Sequence, residues 1–423
     1  MLRSYNTMMS LPGGPSDQVQ AAAIAGQHLR ACRRSRGLSL RTAAQLAGLS
    51  SSFLSMVENG QRTLSRWSDA LALASALRMS PQDILGETVL AALGEADPVA
   101  AAIPAVRLAI AIPGRVHSTP PLEQLNAQVD HLIDLADQRR YHLVLKELPT
   151  ALTALTQAAR DRDVSRRESL RLQIRFYGFV CARVLLETRY VDLAGVAVDR
   201  LEHLAHEVGD PVQIAIAGYW RVSLTMALES YKNVVQTAQQ VAAALPMGRH
   251  GESEHVVLGS LHLVSAYAEA TERQDAEAMA LLGIATEHFA RNTAPTLRRH
   301  LCRVCDTDVN RLEVLGLLGR YDEAIRTGGN ITLPPGSTCA TAAIHHTVMA
   351  CCLSQFRHRG ADAVRHLTAA EQSTPGRLRF SLLAKQAVAD LLTTEPQGQI
   401  GRELRGLAYH NGLIPRAKDA TVT

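Results

Sequence analysis

The chain has 423 residues, 47% hydrophobic and 4% aromatic, with a formal net charge of +4. That length and apolar content suit two or three globular domains. No run approaches 18 uninterrupted apolar residues, so no membrane span is expected, and seven irregularly spaced cysteines argue against a secreted disulfide framework. A cytoplasmic protein is expected.

Residues 1–19 contain Pro12-Gly13-Gly14-Pro15 and lack the apolar core of a signal peptide, so a disordered arm is expected there. The stretch Gly37–Gly60 reads GLSLRTAAQLAGLSSSFLSMVENG and is the most informative part of the chain. It holds two helix-sized segments joined by a tight turn at Gly48. Ser39 and Ser50 stand at N-cap positions, where a short hydroxyl accepts from the orphan amides of the first turn. Leu38, Ala43, Ala44, Ala47, Leu49, Leu54 and Val57 are spaced so that the two helices pack across each other. Asn59-Gly60 ends the second helix, because both residues tolerate the left-handed conformation. Ser51, Ser52, Phe53, Ser55 and Met56 then face outward from a short, rigidly mounted helix. This is the layout of a helix-turn-helix whose second helix enters a DNA major groove.

The pattern resembles the Cro/repressor (XRE-type) family over roughly residues 20–86. The matching residues are Arg30, Arg33, Ser39, Ala44, Gly48, Ser50, Leu54, Ser55, Val57, Glu58 and Gly60. The resemblance implies base contacts from Ser51, Ser52, Phe53, Ser55 and Met56. It implies phosphate contacts from Ser39, Arg41, Asn59, Arg62 and Arg66. It also implies an ion pair of Arg33 with Glu58 that ties the first helix to the third. Leu40 stands where the family often carries a phosphate-touching Gln, and Ala43 where it usually carries Leu. Charge supports the reading independently. Residues 1–90 hold nine arginines, no lysine and five acids, so the whole excess of positive charge sits on the expected reader.

Past the turn, Arg66–Arg78 is predicted as a fourth helix with Trp67, Ala70, Leu71, Ala74 and Leu77 inside. Ser80-Pro81 opens a short fifth helix, with Ser as cap and Pro at the first helical position. Residues 20–87 therefore read as a five-helix Cro-like domain. Residues 88–120, interrupted by Pro98, Pro104, Pro113 and Pro120, read as a linker. Its apolar part, Ile103–Gly114, suits either a short helix or an extended strap.

From residue 121 to 412 the chain reads as helical with a faint repeat. A Tyr opens a helix after a short turn at Tyr141, Tyr190, Tyr231 and Tyr321, each followed by an apolar stripe. Equivalent positions lie near Gln274, Gly360 and Gln397, so successive starts are about 37–49 residues apart. About seven helix pairs, stacked as a tetratricopeptide-like α-solenoid with a right-handed superhelical twist, are expected. The tyrosines are read as packing devices. Residues 413–423 are expected to be a disordered tail.

Catalytic patterns are missing. The four lysines follow Leu, Tyr, Ala and Ala, which excludes a phosphate-binding P-loop, and neither HExxH nor GxSxG occurs. His203 and His206 lie one turn apart without a third ligand and read as solvent-facing. Cys302 and Cys305 form a lone CxxC, placed inside a predicted helix Arg298–Leu318. His345-His346 and Cys351-Cys352 read likewise as helix residues. No cofactor, no metal and no enzymatic activity are expected.

A Cro-type reader joined to such a solenoid resembles two-domain bacterial regulators, including peptide-sensing quorum receptors. Forty arginines against four lysines also fit a GC-rich bacterial genome. The resemblance implies a homodimeric transcription factor on double-stranded DNA, with a solenoid that binds a peptide, a small molecule, a protein partner or its own twin. Arg171, Arg175, Arg221, Asn310 and His345 are the polar candidates to line its groove. Two alternatives stay open: a protein-interaction scaffold located on DNA, and an enzyme-regulatory subunit with a degenerate helix-turn-helix.

Overall fold

The computed structural model describes residues 26–27, 29–31, 33–34, 38–61, 73, 76–77, 98–112, 114, 120–160, 165–245, 251–291, 294–302, 306–333, 339–375, 378, 381–394 and 398–411. Every regular element among them is a helix, as expected for an all-α chain. The chain divides into two compact units between Ala101 and Ala102. The expected arm 1–19, the tail 413–423, Arg62, Arg66, Trp67 and the fifth helix at Ser80-Pro81 lie outside the described residues.

In the first unit, α1 (Leu40–Leu46) and α2 (Ser51–Glu58) pack across each other. Ala43, Ala44, Ala47, Leu54 and Val57 are buried with Leu29, Leu73 and Leu77, and Leu38, Leu40 and Leu49 close over them. Leu77 thus takes the inner position predicted for it. Leu40 joins this core, which accounts for an apolar residue where a phosphate contact is usual.

The division between the units falls within α3 (Pro98–Ala111). The apolar stretch after Ile103 is therefore helical as far as Ala111. Val99, Ile103, Val106, Ala109 and Ile110 are buried on one stripe. The helix continues through Pro104, which removes one backbone donor from it.

The second unit is a row of antiparallel helix pairs, a solenoid-like arrangement. In chain order the pairs are α4 (Leu122–Asp137) with α5 (Tyr141–Ala158), then α6 (Arg166–Phe176), a π-helical segment (Tyr177–Ala182) and α7 (Arg183–Glu187) with α8 (Val191–Val208). Next come α9 (Pro211–Ala227) with α10 (Tyr231–Ala243), and α11 (Glu252–Thr271) with α12 (Asp275–Ala290). A short α13 (Pro295–Leu301) intervenes. α14 (Thr307–Leu318) pairs with α15 (Tyr321–Asn330), α16 (Cys339–Ser354) with α17 (Gly360–Ser373), and α18 (Leu382–Thr394) with α19 (Gly398–His410). Each second helix starts at or next to a position that the sequence repeat marks.

Five of the turns within pairs share one geometry. A left-handed residue follows the first helix, two positions on at Arg139, Arg189, Glu229 and Arg273 and directly at Gly319, with φ of 61°, 67°, 59°, 61° and 78°. The next amide then reaches back five residues, for example from Arg140 to Leu135, Tyr190 to Leu185 and Arg320 to Leu315. This closure satisfies the last carbonyls of the helix. Close approach of neighbouring helices relies on small residues. A Cβ placed on Gly218 would lie 2.6 Å from a methyl of Val241.

One expected helix is corrected. Arg298–Leu318 is not continuous: α13 ends at Leu301 and Cys302 is extended, at φ −86° and ψ 125°. A new helix starts behind Asp306, whose carboxylate accepts from the amides of Asp308 and Val309 at 2.9 and 3.0 Å. Asp at this position competes with helical backbone for those amides and so begins a helix instead of continuing one. Cys302 is therefore in a bend, and Cys305 lies outside the described residues.

Candidate nucleic-acid interface

Two serines fix the reader's geometry. Ser39 Oγ accepts from the amide of Thr42 at 3.1 Å and starts α1; Ser50 Oγ accepts from the amide of Phe53 at 3.1 Å and starts α2. Gly48 and Gly60 are left-handed, at φ 67° and 71°. Each ends its helix with the same five-residue backward bond, Leu49 to Ala44 and Gln61 to Met56. The angle between α1 and α2 is thus set by two caps and two glycine turns.

An ion pair locks α2 to the preceding helical segment. Arg33 Nε and Nη2 donate to the two carboxylate oxygens of Glu58 at 2.5 and 2.8 Å. Arg33 Nη1 donates to the carbonyl of Leu38 at 2.8 Å. Both side chains are buried, and the bond to Glu58 raises the already high pKa of Arg33. The pair is a fork-to-fork contact, the strong form of such interactions. Arg30 adds only a long, half-exposed contact to the same carboxylate at 3.9 Å.

The surface left on α2 carries Ser51, Ser52, Ser55 and Met56, exposed or half-buried. Their spacing at i, i+1, i+4 and i+5 puts them on one helix face. Phe53 is half-buried, as Ser51, Ser55 and Met56 are, and its ring also packs against the reader's core. It stands two positions from Ser51 and Ser55, and so on the flank of that face. Arg41 and Asn59 are exposed on the same unit, as is Ser39, whose hydroxyl also serves the cap.

Of the polar residues expected to line a groove in the second unit, Arg171 and Arg175 line one shallow pocket, together with Asn126 and Glu168. Among the expected residues, only Arg171 is exposed. Arg175 donates to Asn126 at 2.8 Å and Asp130 at 2.5 Å. Arg221 donates to Glu202 and Asp199, with contacts of 2.5 Å to each, which pushes its pKa up further. Asn310 is 1% exposed and its amide oxygen accepts from the Tyr267 hydroxyl at 3.0 Å. His345 is buried with Nε2 2.9 Å from the carbonyl of Gly328. Asn310 and His345, read as groove-lining candidates, are interior, each with a hydrogen-bond partner within the protein.

Other sequence candidates fall into place. His203 and His206 are exposed. Cys351 and Cys352 are buried in α16, and burial pushes their thiols up to about 11 and 12. Among the described residues, no group of three or more His, Cys, Asp and Glu is placed to hold a metal ion. No helix among them is long and apolar enough to cross a membrane.

Three features escaped sequence reading. One is the π-helical segment Tyr177–Ala182, whose 4.4-residue turn leaves no periodic mark over six residues. Another is a contact of Nδ1 atoms at 2.9 Å between His346 and His366, 20 residues apart in sequence on the consecutive helices α16 and α17. The third is the independent helix α13, for which Pro295 and Asp306 were the available signals.

Comparison with curated proteins gives no match. A family model described as a helix-turn-helix domain matches residues 24–85. That span contains both capped helices and the Arg33–Glu58 pair, and the first unit is accordingly a helix-turn-helix DNA-binding domain.

Proposed function

We infer that the chain is a dimeric, sequence-specific transcriptional regulator with a reader of the Cro/repressor type and a tetratricopeptide-like second unit that senses a signal. The observation that carries the reading is the mounting of α2. Two serine caps, two glycine turns and a buried fork-to-fork ion pair hold an eight-residue helix whose outer face offers hydroxyls and a methionine tip. Hydroxyls donate to or accept from base edges, and the methionine suits a thymine methyl. None of these residues makes the bidentate arginine–guanine contact, so direct readout is modest, about 1–3 kcal/mol for each wrong base pair.

Replacing Ser51 and Ser52 with Ala is expected to relax sequence preference in a binding-site selection while sparing non-specific affinity. Unchanged preference would assign the reading to another surface. Arg41 holds a phosphate in this scheme. Its replacement by Ala weakens binding to all sequences and reduces the salt slope by about 0.9, measured from affinity against salt concentration. Two readers on half-sites one turn apart, about 34 Å, supply the specificity that a single small unit lacks. Genome-wide mapping of bound DNA, with and without the second unit, tests the regulator reading as a whole.

A further inference from the structure

The second unit contains a cavity of about 410 Å³. That is within the range of small-ligand pockets and far above packing voids. Its wall comes largely from the first helices of successive pairs, with Trp220, Leu263, Val264, Leu317 and Ile344 among its apolar residues. Tyr219 and Tyr267 also line it, but their hydroxyls already donate, to the Leu301 carbonyl and to Asn310. What these tyrosines present to the cavity is ring surface.

Two of the wall's charged groups, Arg183 and Glu187, hold ion pairs. Arg183 donates to Asp137 at 2.6 Å, and Glu187 accepts from Arg139 at 2.8 Å. Glu313, 4% exposed, brings a buried carboxyl group to the wall. The wall carries two arginines, Arg183 and Arg189, against three acids, Glu187, Glu229 and Glu313, so a ligand anion meets a net acidic surface.

One side of the cavity is closed by α13 and Cys302, which interrupt the row of pairs. His300, Leu301 and Cys302 line the cavity. The segment reaches across several pairs. The His300 ring lies 4.9 Å from that of Phe179 and its Nε2 is 3.9 Å from Asp137. Leu301 accepts from Tyr219, and Cys302 Sγ is 3.2 Å from Ser260 Oγ. An extended peptide running along the first helices would have to displace this segment. It would also find the side chains suited to its backbone already engaged: Arg175, Arg221, Asn310 and His345 hold partners within the protein.

We propose that this cavity binds one uncharged, mainly apolar small molecule of drug-like size, seated against the end of the α13 segment. The proposal deepens the signal-sensing reading given above and rests on it for biological meaning, but not for binding itself. The ligand is held by shape and by aromatic and aliphatic contact, with Glu313 able to accept a hydroxyl or amide N–H.

The test uses the full-length protein and two probes with one framework. N-phenyl-1-naphthylamine is uncharged; its 8-sulfonate analogue is an anion. The expected result is saturable binding of one uncharged probe per chain, with blue-shifted emission, and affinity at least tenfold weaker for the sulfonate. Val264→Phe and, separately, Leu317→Phe fill the cavity and each reduce uncharged-probe affinity at least tenfold; thermal unfolding identifies a variant that has lost its fold. Equal or tighter binding of the sulfonate, or probe affinity unmoved in both folded cavity variants, overturns the proposal. Operator affinity measured with the uncharged probe separates the two readings. Probe binding without any change on DNA upholds the cavity and counts against sensing. Loss of the probe site alongside a peptide that shifts operator affinity refutes the cavity and keeps sensing.

Discussion

Arg33 and Glu58 are the residues on which the reader's geometry depends. Burying two charges is costly, and the pair is tolerated because the two side chains bond each other twice and Arg33 also bonds the Leu38 carbonyl. Removing one partner leaves the other charged and buried. Arg33→Ala is therefore expected to destabilise the reader by about 3–5 kcal/mol in denaturant unfolding of the full chain followed by a probe on residues 38–61. A loss under 1 kcal/mol would show that solvent reaches Glu58. The histidines give a different residue-scale outcome. Burial, then the neighbouring His346 and His345, push His366 down to about 4, with Asp362 acting in the opposite sense. His346 and His262 are also lowered, chiefly by burial. The unfolded chain binds protons at these sites below about pH 6.5, where the folded chain still does not. Their contribution is present above pH 6.5 and is lost as pH falls towards 4. In His366→Asn the drop in melting temperature between pH 7.5 and 5 is expected to shrink; an unchanged drop would place the acid sensitivity on the carboxylates. The ion pair was legible in sequence through family resemblance alone. The histidine contact was not, because it depends on how α16 meets α17.

At the scale of elements, the five left-handed turns allow a paired comparison. Arg139, Arg189, Glu229 and Arg273 adopt a conformation that costs a side-chain-bearing residue about 1–3 kcal/mol, while Gly319 adopts it freely. Glu229→Gly is expected to raise thermal stability by on the order of 1 kcal/mol. Gly319→Ala is expected to lower it, since the new Cβ is strained and would also meet the Arg273 guanidinium. Opposite signs in thermal unfolding are the expected result; two losses would mean that the Glu229 side chain stabilises its turn. These turns were legible because a Tyr or a polar residue recurs behind each one. The helix boundaries of the pairs followed from that recurrence and from 3.6-residue apolar stripes. The break at Asp306 was missed because residues 298–318 keep enough apolar periodicity to read as one helix.

The whole molecule joins a small basic reader to a larger unit of balanced charge. Dimerisation through the second unit is the arrangement proposed for it. Light scattering of a fragment starting at residue 120 is expected to give twice the fragment's mass; a monomer at micromolar concentration would count against the regulator as described. The division into a reader and a helical repeat was legible from composition and spacing, whereas the interior of the repeat was not. Its cavity is made by side chains from many separate helices, and no local pattern announces such a convergence. The crossing segment Pro295–Cys302 has one more consequence, for how this unit comes apart. A row of helix pairs touching only their neighbours can fray from its ends, one module after another. Here Tyr219 and Leu301 are joined across 82 residues of sequence, and His300 reaches back to Phe179 and Asp137. Loop closure over that distance makes nucleation slower and opening more nearly all-or-none. Native-state hydrogen exchange should accordingly show the helices from Asp137 to Leu301 opening as one block, with only the modules beyond Thr307 free to open by themselves.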